Sequence, residues 1–201
     1  MRWMLVTLAV FSLAGCGQSI PPAGWAKAQP LTDGSPAATA WHDAAGRCTV
    51  VTPLTRISCR AVVRRSATGE VRLALLADEG VLLCDLSCDG KTVSTHHVIP
   101  DLASLVPRLG WYVHQVWGNR PQDEPVKWVA DHWLMATHAP LYAETQRHYG
   151  GDPLLLRQVE ATAMTINIGD YRSWGGGWLA YHSELSALGV AVTLQLAEPV
   201  L

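Results

Sequence analysis

The sequence predicts an α+β fold: a single curved antiparallel sheet covered by an inserted pair of short helices. Three observations predict it. Short β-rich runs alternate with tight turns every ten residues or so, first over residues 55–98 and again from Lys127 onward. Between these blocks the apolar period switches to helical spacing. Within the strands apolar and polar residues alternate, so one face of the sheet needs a cover, and the helices are placed to supply it.

The elements follow in order. Met1-Arg2-Trp3 is a positively charged start, and Met4 to Leu13 is an apolar run followed by Ala14-Gly15-Cys16. A charged start, a short apolar stretch and small residues before a cut site describe a secretory signal peptide over residues 1–15. Its apolar run is about half the roughly 20 residues that a spanning helix needs. Residues 16–45 read as a spacer, because Pro21, Pro22, Pro30 and Pro36 sit among Gly, Ala, Ser and Gln without helical or strand period. The folded domain is placed at residues 46–201.

Beyond Cys16 there are four cysteines, Cys48, Cys59, Cys84 and Cys88. An even number in an exported chain points to two disulfides, with three possible connectivities. A hairpin turning at Pro53-Leu54 sets Cys48 opposite Cys59 and leaves Cys84 to Cys88. In a fully extended strand those two lie about 13 Å apart, so the second pair needs a turn through Asp85-Leu86-Ser87. A zinc site is disfavoured, since closely spaced C-x₂-C pairs are missing.

Thr55 to Arg65, Val71 to Leu76, Val81 to Leu86 and Lys91 to Val98 read as four strands, with Val71, Leu73 and Leu75 on one face. Leu102, Leu105, Val106, Leu109, Val113 and Val116 then recur at helical spacing. Pro100 and Asp101 suit a helix start, and Pro107 predicts a break that makes two helices over 101–117. Gly118 to Pro125 is a loop. Lys127 to Ala136, Leu141 to Tyr149, Leu154 to Ala161, Met164 to Tyr171, Trp178 to Leu185 and Leu188 to Leu196 read as strands, with a glycine turn at Ser173-Trp174-Gly175-Gly176-Gly177. In the last strand Leu188, Val190, Val192, Leu194 and Leu196 share a face.

Composition narrows the function. Fifteen Lys+Arg against 17 Asp+Glu leave a net charge of −2, without the basic stripe of a nucleic-acid binder. The low charged fraction and the apolar runs exclude a disordered chain. There is no G-x-S-x-G elbow, no P-loop and no G-x-G-x-x-G, so no catalytic residue, cofactor or metal is expected. His96 and His97 are neighbours and face opposite sides of a strand, while His132 and His138 share a face about 20 Å apart. In His182-Ser183-Glu184 the serine points away from the other two, which argues against a triad.

Two resemblances sharpen this. Leu13-Ala14-Gly15-Cys16 resembles the bacterial lipobox, which implies cleavage before Cys16 and lipidation of its thiol. A lipobox cysteine carries three acyl chains, and two or more anchor stably. Gly17, where Asp retains enterobacterial lipoproteins in the inner membrane, points to the outer membrane. Val71-Arg72-Leu73-Ala74-Leu75-Leu76 with Gly80-Val81-Leu82-Leu83, and Ile166 through Leu179 around the glycine turn, resemble the early meander and late hairpin of the LolA/LolB family of lipoprotein carriers and acceptors. The resemblance spans about residues 46–198 and is mostly topological. Ala180 stands where the family often has Pro. It implies a half-open β-barrel whose helices plug a hydrophobic cavity.

The expected function is then a membrane-anchored, periplasm-facing lipoprotein of the outer membrane. It would bind a lipid, an acyl chain or a lipoprotein client and assist its transport or insertion. The alternative is a non-catalytic assembly lipoprotein of an envelope complex. Candidate cavity and gate residues are Leu102, Leu105, Val106, Leu109, Trp111, Val113, Trp117, Trp133, Ile166 and Trp178. Tryptophan supports this placement. The chain has nine Trp and one Phe, and beyond the spacer its Trp residues fall in the helical segment and the later strands. Amphipathic rings suit an apolar–wet boundary such as a cavity mouth, while core use in place of Phe is the plainer reading.

Overall fold

The computed structural model describes residues 43–118, 126–129, 132–139, 142–151, 153–174 and 177–197. Cys16, the expected signal peptide, Trp25 and Trp41 of the expected spacer, and most of the loop expected at Gly118 to Pro125 lie outside the described residues.

Five strands precede the helices: β1 (Ala44–Val51), β2 (Arg56–Arg65), β3 (Val71–Leu76), β4 (Leu82–Cys88) and β5 (Val93–Val98). The helices are α1 (Pro100–Ala103) and α2 (Val106–Trp117). Seven strands follow: β6 (Val126–Val129), β7 (His132–Ala139), β8 (Tyr142–Gly150), β9 (Leu155–Ala161), β10 (Met164–Trp174), β11 (Gly177–Ala187) and β12 (Val190–Leu196). They form one 12-stranded sheet in the order β5-β4-β3-β2-β1-β12-β11-β10-β9-β8-β7-β6, and every pairing is antiparallel. The last strand lies against the first, and β5 and β6 are left as the two edges, so the sheet is open.

The sheet is also curved, and α2 demonstrates it. This helix packs on β3, β4 and β5 and also on β11. From β3 to β11 is four strand spacings, about 19 Å across a flat sheet at roughly 4.8 Å each. A helix is about 10 Å across, so it reaches both only if the sheet curls around it. The expected curved antiparallel sheet with an inserted helix pair is therefore the observed fold. The core is its concave side, where Val63, Val71, Leu73, Leu75, Leu86, Leu156, Val159, Ile166, Leu185, Val192 and Leu194 surround the helix.

Several expectations need correction. Pro107 does not break the helical segment. The break is at Ser104-Leu105, and Pro107 sits in the first turn of α2, where its missing N–H costs nothing. The single strand expected from Lys127 to Ala136 is the hairpin β6–β7, with Val129 opposite His132. β1 starts at Ala44, inside the expected spacer, and Asp43 just before it accepts both guanidinium hydrogen bonds of Arg64 at 2.6 and 2.9 Å. Leu188 does not join the apolar face of β12; it projects from the β11–β12 turn, 79% exposed.

The expected disulfides are corrected as well: all four of these cysteines are free, buried thiols. The hairpin turns at Pro53-Leu54 and the register sets Cys48 directly opposite Cys59, but the Cys59 thiol instead donates to the Cys48 carbonyl at 3.6 Å. Cys84 and Cys88 lie on one strand, β4, without the turn that bridging requires. The thiol of Cys48 is pushed up by its contact with Cys59 and by burial. Burial pushes Cys84 up to about 11.

Candidate functional site

The helical segment was expected to present one apolar stripe. Instead α2 is buried nearly all round, with Val106, Leu109, Gly110, Trp111, Tyr112, Val113, Gln115, Val116 and Trp117 inside. Such a helix belongs inside a core rather than on top of one. Its apolar side meets β3–β5 closely. A Cβ on Gly110 would come within 2.5 Å of Val93 on β5, so glycine is what permits the approach.

Its other contacts are polar and reach the opposite wall. The Tyr112 hydroxyl lies 2.6 Å from the Ser183 hydroxyl and 3.1 Å from the Ser183 carbonyl on β11. The Trp117 indole N–H donates to the Ala180 carbonyl at 3.3 Å. Arg147 on β8 donates twice to the Gln115 side-chain oxygen, Nε at 3.1 Å and an Nη at 2.8 Å. Burial pushes the Tyr112 hydroxyl far above the ordinary tyrosine range, so it stays protonated and able to donate. The helix is thus a strut inside the half-open sheet, packed on one wall and hydrogen-bonded to the other.

Antiparallel pairing gathers the turns at two rims. The β1–β2, β3–β4, β9–β10 and β11–β12 turns share one rim, and β5 delivers the chain to α1 there. From that rim α2 runs down the interior, since Tyr112 meets Ser183 while Trp117 meets Ala180, further from it. Among the described residues the strongly exposed large hydrophobics all stand on this rim: Leu54 at 95%, Leu188 at 79% and Val81 at 60%, with Val51 beside them. An open groove of about 520 Å³ lies there too, lined by residues of the β9–β10 and β11–β12 turns and their flanks, and α2 takes no part in it.

Of the predicted gate residues, Leu102, Leu105, Val106, Leu109, Trp111, Val113 and Trp117 are buried together in the core, and Ile166 is buried on β10. Trp111, 2% exposed, and Trp117 are core side chains in the observed packing, not an exposed boundary. Trp178 on β11 is half-buried. Trp133 falls on β7 opposite Tyr149; its side chain lies outside the described residues. Ser183 points inward to Tyr112, whereas His182 and Glu184 stay outside, 3.1 Å apart, so the three do not converge. Among the described residues no group of three or more His, Cys, Asp or Glu is placed to hold a metal ion. No helix among them is long and apolar enough to cross a membrane.

Sequence reasoning missed the polar side of the interior. Thr145, Arg147 and Tyr149 alternate along β8 and are all buried, yet Gln146 and His148 between them are polar too. A strand polar on both faces offers no period to show which face is inside.

No family model matches the sequence, and no curated protein matches it. Among solved structures the chain is similar to a LolA superfamily protein from Nitrosomonas europaea, with 8% identity, 78% of this chain and 84% of that one covered, and a TM-score of 0.49. It is also similar to a domain assigned as an outer membrane lipoprotein-sorting protein from Vibrio parahaemolyticus, with 9% identity, 80% and 85% coverage, and a TM-score of 0.44. A DUF1329 family protein from Desulfovibrio piger follows at 10% identity, 80% and 86% coverage, and a TM-score of 0.38.

Proposed function

We propose that this chain is a lipid-anchored envelope protein that holds a hydrophobic ligand inside its half-open sheet. The ligand is a lipid, an acyl chain or the lipid part of a lipoprotein client, and α1 and α2 are the gate. Anchoring follows from the lipobox-like Leu13-Ala14-Gly15-Cys16, and Gly17 favours the outer membrane over the inner one. The observation that carries the reading is the strut: a helix, rather than a second sheet layer, fills the concave side of an open sheet and is tied to one wall by a few hydrogen bonds.

The energetics suit an exchange. An acyl chain of about 12 methylenes gains roughly 10 kcal/mol on burial. Re-exposing a Val, Leu or Trp side chain of the helix costs about 1.5–3 kcal/mol each. About three to seven such side chains match one acyl chain, so the ligand replaces part of the apolar contact of the helices rather than all of it, and the differential affinity shifts the population between the two arrangements. The exposed leucines at the rim where the helices enter favour a lipid surface nearby.

The test uses the full chain with Cys16→Ser, so that it carries no lipid of its own. Extraction of the purified protein followed by mass spectrometry is expected to recover lipid, and a fluorescent fatty acid is expected to bind saturably to the delipidated protein. Neither lipid nor saturable binding would sink the reading. The near-complete burial of α2 favours a second reading, a permanently packed scaffold of an envelope complex. That reading predicts no ligand and a co-purifying partner protein.

A further inference from the structure

The inner face of β8 carries hydrogen-bonding capacity that the fold leaves unused. Thr145 and Tyr149 are fully buried, and among the described residues neither the Thr145 hydroxyl nor the Tyr149 hydroxyl has a hydrogen-bond partner. An unmade hydrogen bond at a buried group is costly, so two on one strand face call for an explanation beyond folding. Between them, on the same face, is Arg147, which is also buried. Its guanidinium is turned to the α2 side chain of Gln115. The flanking positions of β9 are apolar: Leu156 is opposite Tyr149 and Val159 is opposite Arg147, both buried. A polar stripe bordered by an apolar one matches an amphiphile, with an oxygen-bearing head on β8 and a chain along the rest of the trough.

Resting on the ligand-holding reading above, we propose that Thr145, Arg147 and Tyr149 bind the anionic head of a single-chain amphiphile, a carboxylate or a phosphate. Gln115 occupies that place while the gate is closed. Its side-chain oxygen accepts from the same Nε and Nη atoms that a carboxylate or phosphate oxygen takes when α2 withdraws. Exchange of a neutral amide oxygen for an anionic one strengthens the hydrogen bonds to the guanidinium. The two hydroxyls then donate to the same head. The helix thus yields its polar partner on β8 to the ligand while its apolar side stays on β3–β5.

The experiment is a competition against a fluorescent acyl probe on the delipidated full chain with Cys16→Ser. The competitors are a long-chain fatty acid, the fatty alcohol of equal length, a lysophosphatidic acid and the matching monoacylglycerol. At least one anionic lipid is expected to bind tighter than its uncharged counterpart by about ten- to a hundredfold, the worth of a charge-assisted hydrogen bond. The acid–alcohol and phosphate–glycerol pairs distinguish the two heads. Arg147→Met is expected to remove the preference, read as the ratio of anionic to uncharged binding, because loss of the bonds to Gln115 acts on both kinds of lipid alike. Tyr149→Phe and Thr145→Val remove hydroxyls without partners, so the fold should be unharmed, while anionic binding drops about two- to tenfold each. These two variants keep the proposal testable if Arg147→Met fails to fold. Equal binding of charged and uncharged lipids, or a preference that survives in these variants, overturns the head-group assignment alone. Absence of binding by all four lipids overturns the ligand-holding reading with it.

Discussion

The two walls around α2 hold the same helix by different physics. On the β3–β5 side the inward residues Val71, Leu73, Leu75, Cys84 and Leu86 are apolar and fully packed, and Gly110 lets the helix settle against Val93. On the β8–β11 side the inward residues include Thr145, Arg147, Tyr149 and Ser183, and the helix is tied there through Tyr112, Gln115 and Trp117. Apolar burial is non-directional and is lost gradually as surfaces slide apart. Hydrogen bonds are lost within a fraction of an ångström, and their partners then need a substitute. The contrast teaches where a gate would part. The apolar wall acts as the hinge side and the polar wall as the side that opens.

Four measurements would break or sharpen that contrast. The largest effect is expected on the apolar wall, where Leu73→Ala should cost about 2–5 kcal/mol in urea unfolding, because a well-packed site collapses poorly. Probe uptake by the surviving folded protein should change little; a large gain would contradict the division between the walls.

On the polar wall Tyr112→Phe deletes the bonds to Ser183 and leaves a buried hydroxyl without its partner. A smaller loss is expected, about 1–3 kcal/mol, together with faster uptake of a fluorescent acyl probe in stopped-flow mixing. Unchanged uptake would show that this wall does not open.

Gly110→Ala tests the close approach of α2 to β5. Overpacking costs about 1–3 kcal/mol, offset by roughly 1 kcal/mol of improved helix propensity, so a modest net loss in thermal stability is expected. A more stable variant would mean that the helix already stands clear of Val93.

The smallest effect concerns the outer face of the hinge wall. There Arg72 donates to Asp85 at 2.7 and 2.5 Å, and this holds the Asp85 carboxyl below the usual carboxylate range. The folded state therefore binds fewer protons than the unfolded chain. The pair's contribution is present above the unfolded value of about 3.9 and is lost as the pH falls through the folded one. The stability gap between wild type and Asp85→Asn should accordingly be widest near neutrality and shrink below about pH 4. A gap independent of pH would remove the ion pair from the account.

Much of the sheet was legible because its local chemistry agreed with its fold. Val71, Leu73 and Leu75 alternate, glycine and aspartate mark the turns, and β3 lies where the period puts it. The hairpin β6–β7 was not legible, because Trp128 through Trp133 reads as one continuous run. The site was legible only in its apolar half. Leu102, Leu105, Val106, Leu109 and Val113 announce themselves by helical spacing, but the polar partners of α2 lie up to 71 residues away, as Tyr112 and Ser183 do. Nothing in the local pattern joins them.

By itself, then, the sequence determined the antiparallel succession of most of the strands, the place of the helical segment between two blocks of them, and the apolar spacing of that segment. All of these rest on residues close together in the chain, where charge, period and turn chemistry act directly. Tertiary structure alone decided that α2 is enclosed rather than laid on top, that Arg147 meets Gln115, that Cys48 and Cys59 stand as facing thiols, and that Leu54, Val81 and Leu188 share one rim. Each of these depends on how far a 12-stranded sheet curls before its edges stop, and that curvature is a sum over all the strand pairs at once.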